Sequence, residues 1–457
     1  MRQVSTPAER PLHRLFLWLA PLLYIAFALL TPPFQTPDEH QHLFRAWQLA
    51  DGTLFAERRG AEVGGVVPGG LGKAAQAEIG SLAPHASHVR PLPERSWTSH
   101  RSTQAEAEAP RFTNFLGSAI YPPAGYLPQI VAVGAGRLTG ASVETIIRTG
   151  RVLNALLAAM LIAMAIRLTP WGATGLFWIG LLPTTSAASA TFGQDGLVIG
   201  GSCLLLALGL RMALARSWSV SSAALLGLVA SFVTLAKFVY LPLAMVAGAP
   251  RVAGQWRWRG LGGALFVAAV AVLPAILWLT ATAEIAVPPR PDLPPAGTRL
   301  LALFEAPGSL PQLLFNTFFA HGDKLWHSAF MFGWLNIGPV LAAEVLSLLA
   351  LAAVLAGGAP ASAGQTLDPW LRLWVAAMAV GVAVAVSLAL YVYWTPLGAT
   401  RIHGLQGRYF VPPAAALLLA VLPARGVLPR ARAYVPLLLV GANITVLVTI
   451  AATFYRV

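Results

Sequence analysis

Seven consecutive residues, Thr36-Pro37-Asp38-Glu39-His40-Gln41-His42, place two carboxylates and two imidazoles directly after the first apolar run of the chain. A carboxylate at a membrane boundary loses solvation, which lifts its pKa toward the range useful for a general base. Asp38 and Glu39 are therefore candidate catalytic residues. The same stretch also reads as a helix start, since Pro37-Asp38-Glu39 before LFRAWQLA sets acids at an N-terminal dipole. The two readings are compatible. His40 and His42, spaced i, i+2, do not share a helix face, which argues for hydrogen-bonded imidazoles over a metal site. A third acid, Asp195 in ThrPheGlyGlnAspGly (191–196), stands at the expected end of a span, either as a functional intramembrane carboxylate or as the cap of the helix that follows.

The cations are as informative. Lys237 is isolated in SFVTLAKFVYLPL, where an unpaired ammonium needs a carboxylate, a phosphate or a route to water. Arg401, His403 and Arg408 lie in TRIHGLQGRYFVPP, and arginine clamps phosphate oxygens bidentately, although snorkelling or pairing with loop acids would also account for them. Carboxylates and separated cations on one membrane face suit an anionic, lipid-linked substrate. In FFAHGDKLWHSAFMFGWLN (318–336), aromatics alternate with His321, Asp323, Lys324 and His327, a pattern that fits sugar stacking but fits the aromatic belt of a membrane interface better. Asn443-Ile-Thr matches a glycosylation sequon inside an expected span and is set aside. No phosphate-binding glycine loop, dinucleotide fingerprint or HExxH motif occurs.

These residues need a scaffold, and composition defines it. Of 457 residues 56% are hydrophobic and 11% charged, with a mean hydropathy of +0.66. A soluble domain carries roughly 25% charged residues. The chain is thus expected to be an all-α, polytopic helical membrane protein, and a cytosolic enzyme or nucleic-acid binder is excluded despite the net charge of +13. The lone Cys203 permits neither a disulfide framework nor a cysteine metal site.

With about 20 apolar residues per span, eleven spans are expected, near 15–30, 148–167, 172–190, 195–214, 219–235, 237–250, 260–282, 337–357, 370–393, 408–424 and 434–453. The first, behind Arg2, Arg10 and Arg14, has no small-residue cleavage pattern and reads as a retained helix with its N-terminus inside. One domain (1–457) is expected, with a first outer loop at 31–147, rich in Gly, Pro and charge at PLPERSW (91–97) and EAEAPR (106–111), and a second at 283–336. YPPAGYLPQIVAVGAGRLTG (121–140) is read as a juxtamembrane helix. That choice puts thirteen of the 31 Lys+Arg but only two of the 18 Asp+Glu, Glu9 and Asp368, on the cytoplasmic side. A spanning 121–140 segment would turn the clusters at 251–259 and 425–432 outward. The spans at 219–235 and 237–250, meeting at Lys237, could instead be one long helix.

The ordered set TPDEHQHLFRAWQLADG (36–52), YPPAGYLPQ (121–129), R-x-x-N (151–154), LLPTTSAASATFGQDGL (181–197), AKFVYLPL (236–243), FGWL (332–335) and QGRYFVP (406–412) resembles a bacterial membrane-protein family, domain of unknown function 2142, grouped with the C-type-fold (GT-C) glycosyltransferases. The resemblance covers nearly the whole chain. It implies a multi-pass inner-membrane enzyme with about 11 helices. Such an enzyme takes a sugar from a polyprenyl-phosphate donor, in contact with membrane lipids, and passes it to an extracytoplasmic cell-envelope glycan or glycolipid, with no nucleic acid involved. Carried over by position, the catalytic acids are Asp38, Glu39 and Asp195. Lys237, Arg401 and Arg408 would hold the donor phosphate, and His42, Tyr121, Gln406 and Tyr409 would contact substrate. A divalent cation, Mg or Mn, held by Asp38 and Asp195 is compatible but not required. The chain departs from better-known members in ending at Phe454-Tyr455-Arg456-Val457 without a large soluble C-terminal domain, so acceptor recognition is expected on the outer loops or a partner. A transporter or flippase of a lipid-linked saccharide, or a glycan ligase or polymerase, is the alternative. A transporter would carry polar residues through the full membrane depth, whereas the charged candidates lie at one boundary.

Overall fold

The computed structural model describes residues 12–80, 104–105, 108–215, 218–252, 254–287, 293–359 and 367–455. The basic start at Arg2 and Arg10, Glu9, Arg216, the PLPERSW stretch and the last two residues lie outside the described residues. The described residues are mostly helical, 71% of them in helices. Among the described residues six helices are long and apolar enough to cross a membrane: α1 (Leu12–Leu30), α5 (Val143–Leu168), α8 (Asp195–Leu214), α10 (Trp258–Ala281), α15 (Pro369–Tyr393), and the last, Pro429–Phe454, most of which is α17 (Val435–Phe454). Shorter apolar helices occupy Val220–Ala236 (α9), Phe238–Gly248, Leu341–Gly357 (α14) and Gly407–Val421, the last ending in α16 (Val411–Val421). Large apolar side chains such as Trp18, Leu22, Phe266 and Leu437 point outward, an arrangement that lipid tolerates and water does not.

The hub is α8, buried over 89% of its apolar window, whereas α10 is 22% buried and lies at the periphery. Glycines make the hub possible. A Cβ at Gly196 would stand 2.4 Å from Ser189 Cα, and one at Gly200 would stand 3.0 Å from Leu161 Cβ, so α8 approaches Ser189 at the first and α5 at the second as small-residue helix pairs do in membranes.

Two expected spans have other shapes. The 172–190 segment is two short helices, α6 (Ala173–Gly180) and α7 (Pro183–Ser189), broken where Pro183 cannot donate a hydrogen bond. The carbonyls freed there are satisfied by side chains, as hydrocarbon demands. Thr185 Oγ1 donates to Ile179 O (2.7 Å), Tyr24 OH to Gly180 O (2.5 Å) and Asn443 Nδ2 to Leu181 O (2.8 Å). The dismissed sequon asparagine is therefore a buried cap. The 237–250 segment is a 3₁₀ helix, Phe238–Gly248, of 11 residues, which at about 2.0 Å per residue reaches about 22 Å. It does not continue α9: Lys237 is extended (φ −149, ψ 101). Gly201 of α8 faces Val233 before the break, and Gly209 faces Val246 after it. Both arms run away from the Asp195 end of α8, so Lys237 is the apex of a hairpin.

At that same end sits a small lobe: α2 (Glu39–Ala50), strands β1 (Glu57–Arg59), β2 (Glu62–Val67) and β3 (Arg111–Asn114) in an antiparallel sheet of order β1-β2-β3, α3 (Gly69–Ile79) and α4 (Leu127–Thr139). The sheet, with a further two-stranded pair β4 (Arg251–Val252) and β5 (Gln255–Trp256), qualifies the all-α expectation. The lobe has its own core, Leu43, Phe44, Trp47, Val63, Leu71 and Phe115. Arg45 is buried and clamps the lobe by donating to Tyr121 O and Leu54 O. α4 buries Ala132 and Val133 in this same core, in keeping with a juxtamembrane helix. The 283–336 region folds as short helices, α11 (Ala296–Glu305), α12 (Ser309–Phe315), a π turn (Asn316–Ala320) and α13 (Gly322–Ser328). Trp334 Nε1 ties it to Phe34 O (2.8 Å).

Candidate active site

The loop from Thr31 to Asp38 leaves α1 and is anchored by Glu39. Its two carboxylate oxygens accept from Arg151 Nε (2.7 Å), Arg151 Nη2 (2.6 Å), Phe34 N–H (2.7 Å) and Phe192 N–H (3.1 Å). Arg151 also donates to Ala28, Thr31 and Pro32 carbonyls, and both side chains of the pair are at most 1% exposed. Glu39 is thus saturated and sealed from solvent. The expectation that it shares the catalytic role is corrected: it is the rivet that joins the loop to α5 and to the turn before α8.

Asp38 differs in every respect. It is the N-cap residue of α2 but makes no side-chain cap, because its backbone is left-handed (φ 62, ψ 9). The residue is half-buried, and its carboxylate accepts a long bond, 3.4 Å, from Gln41 Nε2. Burial pushes its pKa above the ordinary carboxylate value; Asp195 adds to that, while Arg408 and Lys237 pull it back. A carboxylate accepts a proton only when ionised, so any turnover that uses Asp38 as a base is expected to rise with pH through a value above the usual carboxylate pKa of roughly 4. A pH–rate profile checks this: the acid limb should lie above that value in the wild type and vanish in Asp38→Asn.

Next to Asp38 lies a row of three charges. Asp195, the first residue of α8, sits between Lys237 Nζ (2.5 Å from Oδ1) and Arg408 Nε (3.2 Å from Oδ2). Their side chains remain 18% to 23% exposed, enough to meet a ligand. Asn154 Nδ2 holds the turn before Asp195 through Ser189 O and Thr191 O. Tyr409 lies under both cations, with Lys237 Nζ 5.1 Å and Arg408 Cζ 5.5 Å from its ring centroid. Tyr240 OH donates to Tyr409 O (3.0 Å).

Two cavities meet this row. On the Lys237 side an apolar groove of about 350 Å³ is lined by Tyr121, Phe238, Leu279, Val386, Leu390 and Tyr409. On the Arg408 side a smaller, largely apolar cavity of about 60 Å³ also carries Thr36, Thr184, Ser328 and Gln406, whose Oε1 is buried without a partner among the described residues. His42 stacks on Tyr121 (6.0 Å, 13°), and its Nδ1 meets Tyr126 OH at 2.6 Å. Burial holds the His42 imidazole down to about 4, so it is neutral at pH 7. His40, also neutral (about 3) through burial, packs on Phe44 and Trp334.

The expected residues therefore divide. Asp38, Asp195, Lys237, Arg408, His42, Tyr121, Gln406 and Tyr409 gather around one centre. Arg401 does not: it lines a separate cavity with Thr317, His321, Lys324 and His403. His327 and Trp326 both bond Glu344 of α14, so they brace α13. Tyr126, Tyr240 and Arg151 were assigned no role from sequence, although an arginine inside an apolar helix is the kind of signal that marks a buried pair. A divalent ion does not fit the Asp38–Asp195 pair, because both Asp195 oxygens are already engaged by cations. Among the described residues no group of three or more His, Cys, Asp or Glu side chains is placed to hold one.

A helical membrane protein with a carboxylate and a charge-paired cation row at one end of its bundle is the class defined by this fold and site. The chain belongs to the family described as "Predicted membrane protein (DUF2142)", whose family model matches residues 21–422. No curated protein and no solved structure matches the chain.

Proposed function

We propose that this protein is a GT-C-like glycosyltransferase that moves a sugar from a polyprenyl-phosphate donor to an extracytoplasmic glycan or lipid acceptor, with inversion. The observation that carries the reading is the meeting of three features: an apolar groove lined in part by Lys237, the Lys237–Asp195–Arg408 row, and Asp38, whose carboxylate feels both cations of that row. The polyprenyl chain lies in the groove against Phe238, Leu279, Val386 and Leu390. Its phosphate meets Lys237 and Arg408, which Asp195 keeps oriented. The row carries two positive charges against one negative, so it has a net positive charge for the leaving group.

In the reaction Asp38 takes the proton of an acceptor hydroxyl. The acceptor oxygen forms a bond to the anomeric carbon as the bond to the phosphate oxygen breaks, and polyprenyl phosphate leaves with that electron pair. The transition state has oxocarbenium character, as in glycoside cleavage. Preorganised charge at a leaving group contributes about 3 kcal/mol per donor. Replacing Lys237 by Gln is accordingly expected to lower kcat by about 10²–10³-fold. Single-turnover transfer from a radiolabelled polyprenyl-phosphate sugar measures this, and an unchanged rate would remove Lys237 from the phosphate site.

The reading also places the chain in the inner membrane with its N-terminus cytoplasmic and the Asp38 end outside, as the basic clusters at 251–259 and 425–432 on the opposite side favour. It takes α6 with α7, α9, the 3₁₀ helix, α14 and α16 as crossing segments beside the six long helices, for eleven in all.

A further inference from the structure

The cavity around Arg401 is separate from both cavities at the charge row, and its lining is one-signed. It measures about 220 Å³ and is bounded by Thr317, His321 and Lys324 on one side and by the chain from Arg401 to Leu405 on the other, with no acidic residue in its wall. Asp323, the neighbouring acid, is exposed on α13 and does not line it. Neither Arg401 nor Lys324 makes an ion pair with a described residue; Arg401 is half-buried and Lys324 exposed, so their charges are available to a ligand.

The walls are held firmly. Asn316 Nδ2 donates to Thr400 O (2.8 Å), Ile402 N–H donates to Thr317 Oγ1 (3.0 Å), and His321 Nδ1 meets Asn316 O at 2.8 Å. Behind His403 stands a further cation. His403 N–H donates to Thr395 Oγ1, and Arg299, 2% exposed, donates to Thr395 O while its Nε and Nη2 have no partner and its guanidinium lies 4.6 Å from the Tyr391 ring centroid. A concave site lined by a guanidinium and an ammonium, with no compensating carboxylate and a buried arginine behind it, raises the local concentration of anions. Arginine matches phosphate oxygens in particular.

We infer that the Arg401–Lys324 cavity is a second phosphate-binding site, distinct from the Lys237–Arg408 row and occupied by a phosphate carried either on a soluble glycan-type solute or on a lipid headgroup. The inference goes beyond the transfer reaction and does not depend on it. Six residues lie between Arg401 and Arg408 along the chain and the two line different cavities, so a phosphate held at Arg401 would stand beside the centre and not in it.

The test is protection of Arg401 from the arginine reagent phenylglyoxal, read by peptide mass spectrometry on the full chain in nanodiscs, with the exposed Arg58 as reference. One arm uses phosphatidylcholine discs with added glycerol 3-phosphate, or glycerol as the uncharged control. The other uses phosphatidylglycerol discs with no solute. At a concentration about four times its Kd, the solute should slow Arg401 modification about fivefold, and Lys324→Gln should abolish most of that slowing. Protection in the first arm alone assigns the site to a soluble phosphate, and protection in the second assigns it to a headgroup. No protection in either arm, or protection unaffected by Lys324→Gln, overturns the inference.

Discussion

The Asp38→Asn protein is expected to fold and insert as the wild type does, yet to lose the proposed sugar transfer by about 10²–10⁴-fold, the range general-base catalysis supplies. The expectation that it folds rests on the backbone. Asp38 is left-handed at φ 62, a conformation in which asparagine is as well tolerated as aspartate. Its carboxylate caps no helix and, among the described residues, accepts one long hydrogen bond. The amide that replaces it is nearly isosteric but cannot accept a proton from a hydroxyl. Transfer in reconstituted membranes, with protein level and thermal unfolding measured in parallel, separates the two properties. A large loss of rate at unchanged unfolding temperature supports Asp38 as the base, whereas retained transfer from the native donor refutes it.

Arg151→Met should have the opposite profile. Glu39 is at most 1% exposed and loses two of its four hydrogen bonds, both charge-assisted, when the guanidinium is removed. An unpaired carboxylate left in such a site costs about 3–5 kcal/mol. The loop carbonyls of Ala28, Thr31 and Pro32 lose their donor as well. Unfolding temperature and resistance to proteolysis should both fall, with activity lost as a consequence. Because the two residues form one unit, Glu39→Gln combined with Arg151→Met should destabilise by less than the sum of the single changes. Additive effects would mean that the pair does not act together.

The contrast between Asp38 and Glu39 also marks how far the sequence alone could be read. Adjacent acids after an apolar run carry the same local signal, and only Arg151, more than a hundred residues away, decides which one is consumed by structure. Arg401 and Arg408 pose the same problem in cationic form: they share a polar stretch, but the turn between them sends them to different cavities. What was legible is what local hydropathy and charge determine. The long helices α1, α5, α8, α10, α15 and α17 fall where apolar runs predict, and Lys237 marks a break because an isolated ammonium is not accommodated inside a continuous apolar helix. The division of 172–190 was less visible. Pro183 signalled it, but a broken helix in hydrocarbon is tolerated only with partners for its free carbonyls, and these come from Tyr24 and Asn443 in distant helices. The small sheet was missed for a related reason, since its strands are short and lie in a loop dominated by Gly, Pro and charge.

One measurement addresses the proposed transfer most directly. Purified protein in liposomes is given a panel of polyprenyl-phosphate sugars, radiolabelled in the sugar, together with membrane acceptors, and both the glycosylated acceptor and the released polyprenyl phosphate are quantified. The account predicts that label enters the acceptor with one polyprenyl phosphate released per sugar transferred, and that Asp38→Asn abolishes both. Label that crosses the bilayer still joined to its lipid, with no acceptor product and no effect of Asp38→Asn, would contradict it and identify a translocator instead.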